Sequence, residues 1–140
     1  MVIHLSAALR ARLHDQLRAA YPHEGGGFLL GCRDGDRVTI VDVTPVDNVF
    51  AEEERYHRYA MTPADWMRLE DEAEARGLAL LGYYHSHPDH PAVPSEYDRA
   101  HALPNFVYLI VSVRGGRTVE TRAWQLAEDR RAFDEQALQT

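Results

Sequence analysis

The amino-acid sequence predicts an α/β fold, a single mixed β-sheet flanked by helices. Three observations carry this. Residues 6–20 and 62–76 repeat apolar side chains at helical spacing. Short runs rich in Val, Ile, Leu and Tyr separate and follow them, bounded by Gly, Pro and Asp. One of these, Phe106–Val113, is apolar almost throughout, as a strand buried on both faces is. Helices alternating with such strands build one sheet covered by helices. The 140 residues, 45 % of them hydrophobic, suit one domain spanning 1–140 with a substantial core.

The elements follow in order. Leu9, Leu13 and Leu17 recur every four residues from Ser6 to Ala20, with Ser6 as N-cap, and Pro22 ends the helix. Gly27–Cys32 reads as a short apolar strand, with Cys32 as a small buried residue at its end. Arg33-Asp34-Gly35-Asp36 turns the chain into a returning strand, Arg37–Val46. Asp47–Ala60 is irregular and charged, a surface excursion. Thr62-Pro63 opens a second helix that Gly77 stops. Leu78–His87 is a strand, followed by a loop bearing Pro88, Pro91 and Pro94 and a short helix from Ser95 to about Leu103. Phe106–Val113 and Thr118–Gln125 are strands joined through Arg114-Gly115-Gly116-Arg117, and the stretch from about Ala127 is read as helical. No internal repeat or linker interrupts this order.

Composition narrows the function. The net charge is −7 and no basic stripe is visible, which argues against nucleic acid as a partner, since phosphate binding needs clustered cations. No apolar run approaches the roughly 20 residues that cross a bilayer, and Met-Val-Ile-His-Leu does not read as a signal peptide, so a cytoplasmic protein without a membrane partner is expected. Cys32 is the only cysteine, which excludes intramolecular disulfides and thiolate-rich zinc sites. All 15 cationic side chains are Arg.

The sharpest pattern is His85-Ser86-His87-Pro88, six residues, then Ser95-Glu96-Tyr97-Asp98. Residues i and i+2 of a strand share a face, so His85 and His87 form a two-nitrogen clamp. The proline-rich loop turns the chain so that the first turn of the next helix, with Asp98, can face the strand end. Two imidazoles, one carboxylate and one open position suit catalytic zinc, whose bound water has a pKa near 7. Glu24, at the mouth of the first strand before Gly25-Gly26-Gly27, can serve as the base if that strand neighbours the histidine strand. Ser95 could donate a hydrogen bond to an oxyanion.

Each member has a plainer reading. Ser95-x-x-Asp98 also spells a capping box, which is compatible with a catalytic Ser95 but competes with metal binding for Asp98. His85-x-His87 alone is an ordinary surface pair, and Glu24 alone an ordinary surface charge. The combination carries the assignment. His4, His14, His23, His57 and His101 read as surface residues, while His90 lies in the loop of the motif and is open to substrate contact or competition for the metal.

At these residues the chain resembles the JAMM, or MPN-plus, metallopeptidase family. The family pattern is a Glu near the first strand, then His-Ser/Thr-His-Pro, six residues, Ser, two residues and Asp. Pro22-His23-Glu24 with Gly27-Phe28-Leu29-Leu30-Gly31, Leu81-Gly82-Tyr83-Tyr84 and Tyr108-Leu109-Ile110-Val111-Ser112 also match, so the resemblance runs from about Pro22 to Trp124. It implies a cytidine-deaminase-like α/β domain that binds Zn2+. It implies His85, His87 and Asp98 as metal ligands, Glu24 as acid–base and Ser95 as oxyanion donor. It also implies hydrolysis of the amide or isopeptide bond after the C-terminal Gly-Gly tail of a ubiquitin-like or sulfur-carrier protein. Small bacterial and archaeal members act on such carriers, and some release cysteine from one. The second insertion and extra His/Cys zinc site of linkage-selective eukaryotic members have no counterpart here.

An extended tail is expected to bind by adding to a sheet edge, with the 47–60 segment covering it and Tyr56, Arg58 and Tyr59 available to grip it. The alternative function is a non-catalytic MPN scaffold that only binds partners, which would not need Glu24. A RadC-like protein would carry a longer chain and a basic patch. A zinc deaminase would need Pro-Cys-x-x-Cys, which one cysteine cannot supply.

Overall fold

The computed structural model describes residues 1–46 and 63–140. Among them the element order is β1 (Val2–His4), α1 (Ala7–Ala20), β2 (Gly26–Asp34), β3 (Arg37–Pro45), α2 (Pro63–Ala75), β4 (Ala79–Pro88), α3 (Glu96–His101), β5 (Val107–Arg114), β6 (Arg117–Leu126) and β7 (Phe133–Gln139). The expected Thr62 cap and the 47–60 excursion, with Tyr56, Arg58 and Tyr59, lie outside the described residues.

All seven strands belong to one mixed sheet in the order β1-β3-β2-β4-β5-β6-β7, which closes on itself. β1 runs parallel to both β3 and β7, and β4 runs parallel to β5. The remaining neighbours are antiparallel, through the hairpins β2–β3, β5–β6 and β6–β7 and the pair β2–β4. The β5–β6 turn uses Gly115 (φ 56°) and Gly116 (φ 82°), left-handed values that favour glycine and match the twist of the flanking strands.

The expected C-terminal helix is corrected here. The stretch after Ala127 is not helical. Phe133–Gln139 pairs with β6 through Ala123↔Gln136 and Leu126↔Phe133, and with β1 through Val2↔Ala137. Its Glu, Gln, Ala and Leu favour a helix locally, but two strand partners outweigh that weak preference. The sheet also closes on itself, which the alternation of helices and strands does not specify. β1, three residues long, completes the closure and is too short to leave a periodic trace in the sequence. Closure leaves only partial edges for a substrate strand, such as Ile40–Pro45 of β3 beyond the β1 pairing and Arg117–Arg122 of β6 beyond that of β7.

The core divides between the two faces of the sheet. Leu9, Leu13 and Leu17 of α1 pack with Ile3, Leu5, Leu29, Leu81, Tyr84, Leu109 and Val111. This helix touches β3, β5 and β6, far apart in the sheet order, so it lies across the curl of the sheet. Ser6 caps it, its Oγ accepting from the Leu9 N–H at 3.2 Å. On the other face, Leu69 of α2 packs with Phe28, Tyr83, Tyr108, Ile110, Trp124 and Leu126. Arg12 and Arg76 both reach Asp42, at 3.1 and 3.0 Å, linking α1 and the end of α2 to β3. Cys32 is exposed rather than buried, because the apolar half of β2 ends at Gly31 and the strand then runs out towards its turn.

His14 is not a free surface histidine. It is half-buried between α1 and β6, with its Nε2 2.7 Å from Thr121 Oγ1. Burial, reinforced by Arg10 and Arg18 and opposed by Asp15, lowers its pKa below the ordinary value of 6.5. A depressed pKa favours the fold above the unfolded value, and that advantage is lost as the pH falls through the folded value. Acidification from pH 7.5 to 5 should therefore lower the melting temperature, and His14→Gln should lose less over the same interval. Thermal melts of both proteins across that range check it.

Candidate metal and acid–base site

The site forms where β4 ends between its antiparallel neighbour β2 and its parallel neighbour β5. The β2–β4 register pairs Gly26 with His85, and the Ser86 N–H continues it by donating to the Gly25 carbonyl at 3.0 Å. Glu24, just before this stretch, lines the same cavity as His87 and is near enough for its charge to act on that ring. The neighbouring of the two strands, on which a role for Glu24 was conditional, is therefore present. Gly26 and Gly27 allow the close approach. A Cβ on Gly26 would lie 2.5 Å from the Tyr83 hydroxyl oxygen and 2.7 Å from the Tyr84 carbonyl oxygen, and one on Gly27 would lie 2.4 Å from the Thr44 carbonyl oxygen. The three glycines thus serve tight packing at the mouth of the strand.

His85 and His87 share one face of β4 in a ladder of rings. Phe28 meets Tyr83 edge-on at 5.0 Å, Tyr83 meets His85 edge-on at 6.0 Å, and His85 lies 5.0 Å from His87. His85 is 1 % exposed and Asp98 4 %, so the apparent surface pair of histidines is largely sunk in the protein.

The loop from Pro88 to Ser95 is pinned to the sheet along its length. The Asp89 N–H donates to the Val113 carbonyl at 2.7 Å, the Ser112 hydroxyl to the His90 carbonyl at 2.6 Å, and the Trp124 indole to the Ala92 carbonyl at 3.0 Å. The loop delivers α3 with its first turn over the histidines. Asp98 Oδ1 lies 2.8 Å from His85 Nε2, and Oδ2 lies 3.1 Å from His87 Nε2. Oδ2 also accepts the Ser95 N–H at 2.8 Å, while Ser95 Oγ accepts the Asp98 N–H at 3.1 Å. The capping box is complete, and the same carboxylate still faces both imidazoles, so capping does not turn it away from them. Arg130 secures the other end of α3 by donating to the Ala102, Arg99 and Ala100 carbonyls.

His85, His87 and Asp98 each offer one ligand atom, all within 4.8 Å of one another. The donor set fits a divalent cation for a further reason. His87 Nδ1 lies 2.9 Å from the Pro91 carbonyl oxygen, which only accepts, so Nδ1 carries the proton. Its Nε2 then presents a lone pair towards a carboxylate oxygen, and two acceptors at that distance need a proton or a metal ion between them. The pKa of His87 reflects this: burial pushes it down, but Asp98, the Pro91 carbonyl and the charge of Glu24 outweigh burial and raise it.

A cavity of about 710 Å3 opens beside these groups, lined by Glu24, His87, Pro88, His90, Pro91, Val93 and Ser95. Glu24 is half-buried and Ser95 exposed, and both face this space. His90 lines it too, outside the ligand group. The structure thus brings together all five residues singled out in the sequence. Sequence reasoning missed Pro91, whose carbonyl orients His87, and Ser86, whose Oγ accepts the Gly25 N–H at 3.0 Å. Ser86 lies inside the motif itself, and its burial between two histidines was the available signal.

The chain matches the family described as prokaryotic homologs of the JAB domain over residues 6–127, and it belongs to that family. A desampylase of Haloferax volcanii is 39 % identical over 98 residues, 69 % of this chain and 68 % of the relative. A probable TtuB-protein conjugate cleaving protease of Thermus thermophilus is 31 % identical over 117 residues, 84 % of this chain and 74 % of the relative. Among solved structures, a protein from Desulfitobacterium hafniense superposes with a TM-score of 0.80 at 27 % identity, covering 99 % of this chain and 91 % of that one. A JAB1/MPN domain protein from Archaeoglobus fulgidus has a TM-score of 0.55 at 17 % identity over 100 % of both chains, a likeness of fold.

Ser95→Ala removes the side-chain cap of α3 and should cost about 1 kcal/mol of stability, whereas Ser95→Thr should retain most of it. Chemical denaturation of the metal-free proteins measures the difference.

Proposed function

We propose that this chain, as one domain, is a JAMM-type zinc metallopeptidase that hydrolyses the amide or isopeptide bond after the C-terminal Gly-Gly of a ubiquitin-like or sulfur-carrier protein. The observation that carries the reading is the His85–His87–Asp98 group beside a cavity that His87 lines together with Glu24 and Ser95. Relatives named as a desampylase and a probable conjugate cleaving protease support the substrate class. Zinc suits two imidazoles and a carboxylate, and we assign it as the metal.

A bound zinc ion supplies Lewis acidity, polarising the scissile carbonyl and making water a nucleophile near neutral pH. The chain's own groups do the rest. The Glu24 carboxylate takes a proton as water oxygen bonds to the carbonyl carbon, and returns it to the leaving nitrogen as the carbon–nitrogen bond breaks. Ser95 Oγ already accepts the Asp98 N–H, which leaves its own proton to donate to the developing oxyanion. Pro91 holds the His87 ring through Nδ1 and so keeps Nε2 directed at the ligand group. Pro88, Pro91 and Val93 give the cavity an apolar wall against which a side-chain-free Gly-Gly tail can lie.

The same reading places the fold in the cytidine-deaminase-like class, supported by a mixed sheet with helices on both faces and a site at the C-terminal end of the parallel pair β4–β5. No helix among the described residues is long and apolar enough to cross a membrane, and we assign the protein to the cytoplasm.

The test is mass spectrometry of zinc-loaded protein incubated with prokaryotic ubiquitin-like sulfur carriers extended past their Gly-Gly ends. A cut after Gly-Gly is expected, abolished by a chelator and slowed at least about 10²-fold by Glu24→Ala. Asp98→Asn should weaken zinc binding in a competition titration. Zinc-loaded protein that cuts none of these carriers would overturn the proposal in favour of a partner-binding scaffold.

A further inference from the structure

Glu24 sits in the connection between α1 and β2, outside any helix or strand. A proton-transfer group on a connection needs external support, because misplacement by about 1 Å can cost roughly 10²-fold in rate. The support comes from both sides of Glu24 and from the metal motif itself.

On the C-terminal side, Gly25 is tied to Ser86 twice. The Gly25 N–H donates to Ser86 Oγ, and the Gly25 carbonyl accepts the Ser86 N–H, both at 3.0 Å. The Gly26 carbonyl accepts from the Gln16 amide at 2.8 Å and from the Val46 N–H at 3.1 Å. On the N-terminal side, the Tyr21 hydroxyl donates to Asp89 Oδ2 at 2.8 Å. Asp89 Oδ1 accepts the Gly115 N–H at 2.9 Å, and the Asp89 N–H donates to the Val113 carbonyl at 2.7 Å. Asp89 follows Pro88 directly and has a φ of 59°, a left-handed value held by these three bonds. Neither Tyr21 nor Asp89 lines the cavity.

We propose that Asp89 is a positioning residue that, through Tyr21, clamps the Glu24 segment to the end of the histidine strand, opposite the Ser86–Gly25 anchor. The inference rests on the reading of Glu24 as the acid–base. The stretch of chain that carries the histidine ligands then also fixes the base, so ligands and base move as one body. Asp89 is left free of direct contact with substrate.

Four variants isolate the clamp. Tyr21→Phe removes only the hydroxyl. Asp89→Gly keeps the left-handed backbone without strain and removes only the carboxylate. The double variant Tyr21→Phe/Asp89→Gly measures their coupling. Asp89→Asn keeps a carbonyl for the Gly115 N–H and offers an amide to the Tyr21 oxygen. Hydrogen–deuterium exchange of residues 22–27, zinc affinity by chelator competition, and kcat and KM on a Gly-Gly-extended carrier are the readouts. Tyr21→Phe and Asp89→Gly should each exchange about tenfold faster over 22–27 and lose about 10- to 100-fold in kcat. KM and zinc affinity should stay within about twofold. The double variant should be no worse than Asp89→Gly, and Asp89→Asn should recover most of the loss. Unchanged exchange over 22–27, additive losses, or zinc affinity falling in step with kcat would overturn the clamp. If the unaltered protein cuts no carrier, the functional reading fails by itself, and the exchange measurement still decides whether Asp89 holds the segment.

Discussion

The site depends first on the Asp98 carboxylate, which serves three partners with two oxygens. It faces His85 with Oδ1 and His87 with Oδ2, and with Oδ2 it also accepts the Ser95 N–H. A carboxylate so deeply buried is tolerated only when its lone pairs are met. These contacts also account for α3, a helix of six residues that is too short to persist alone in water. Its start is held by the cap, its side by the histidines and its end by Arg130. Removing the carboxylate would therefore loosen the helix and the metal group together.

Around this carboxylate, the sheet supplies rigidity in a particular direction. β4 is flanked by β2 on one side and β5 on the other, and both neighbours contribute to the site. β2 brings the Glu24 end close because glycines line its entry. β5 and β6 hold the proline-rich loop through Ser112, Val113 and Trp124. Of the five candidate groups, Glu24 and Ser95 stand on connections, His85 and His87 at the end of β4 and Asp98 in the first turn of α3, and the sheet beneath fixes their spacing.

Much of this was legible in the sequence, for reasons that differ by element. α1 announced itself through Leu9, Leu13 and Leu17, and β5 through an unbroken apolar run, because both bury a continuous surface. The His85-to-Asp98 stretch was legible because its candidate ligands lie close together in sequence, on a strand end and a helical first turn joined by a short loop. β7 was not, because its pairing with β1 and β6 is set by residues far away in the chain, and local preference pointed to a helix. The burial of His14 escaped for the same reason, since Thr121 lies on a strand distant in sequence. That Asp98 faces both imidazoles while it caps its helix was not legible, because spacing specifies a capping box without saying what else the carboxylate can reach.

The closure of the sheet through β1 has a kinetic meaning. Val2–His4 is made before every other described element, yet one of its two strand partners, Phe133–Gln139, is made only after all the others. During synthesis the ring stays open, and β1 has only β3 to lean on. Joining contacts so remote in sequence is slow, and strands left unpaired meanwhile invite pairing with other chains. Closing the ring thus joins the first described strand to the last, a contact that the stretches made in between cannot supply by themselves.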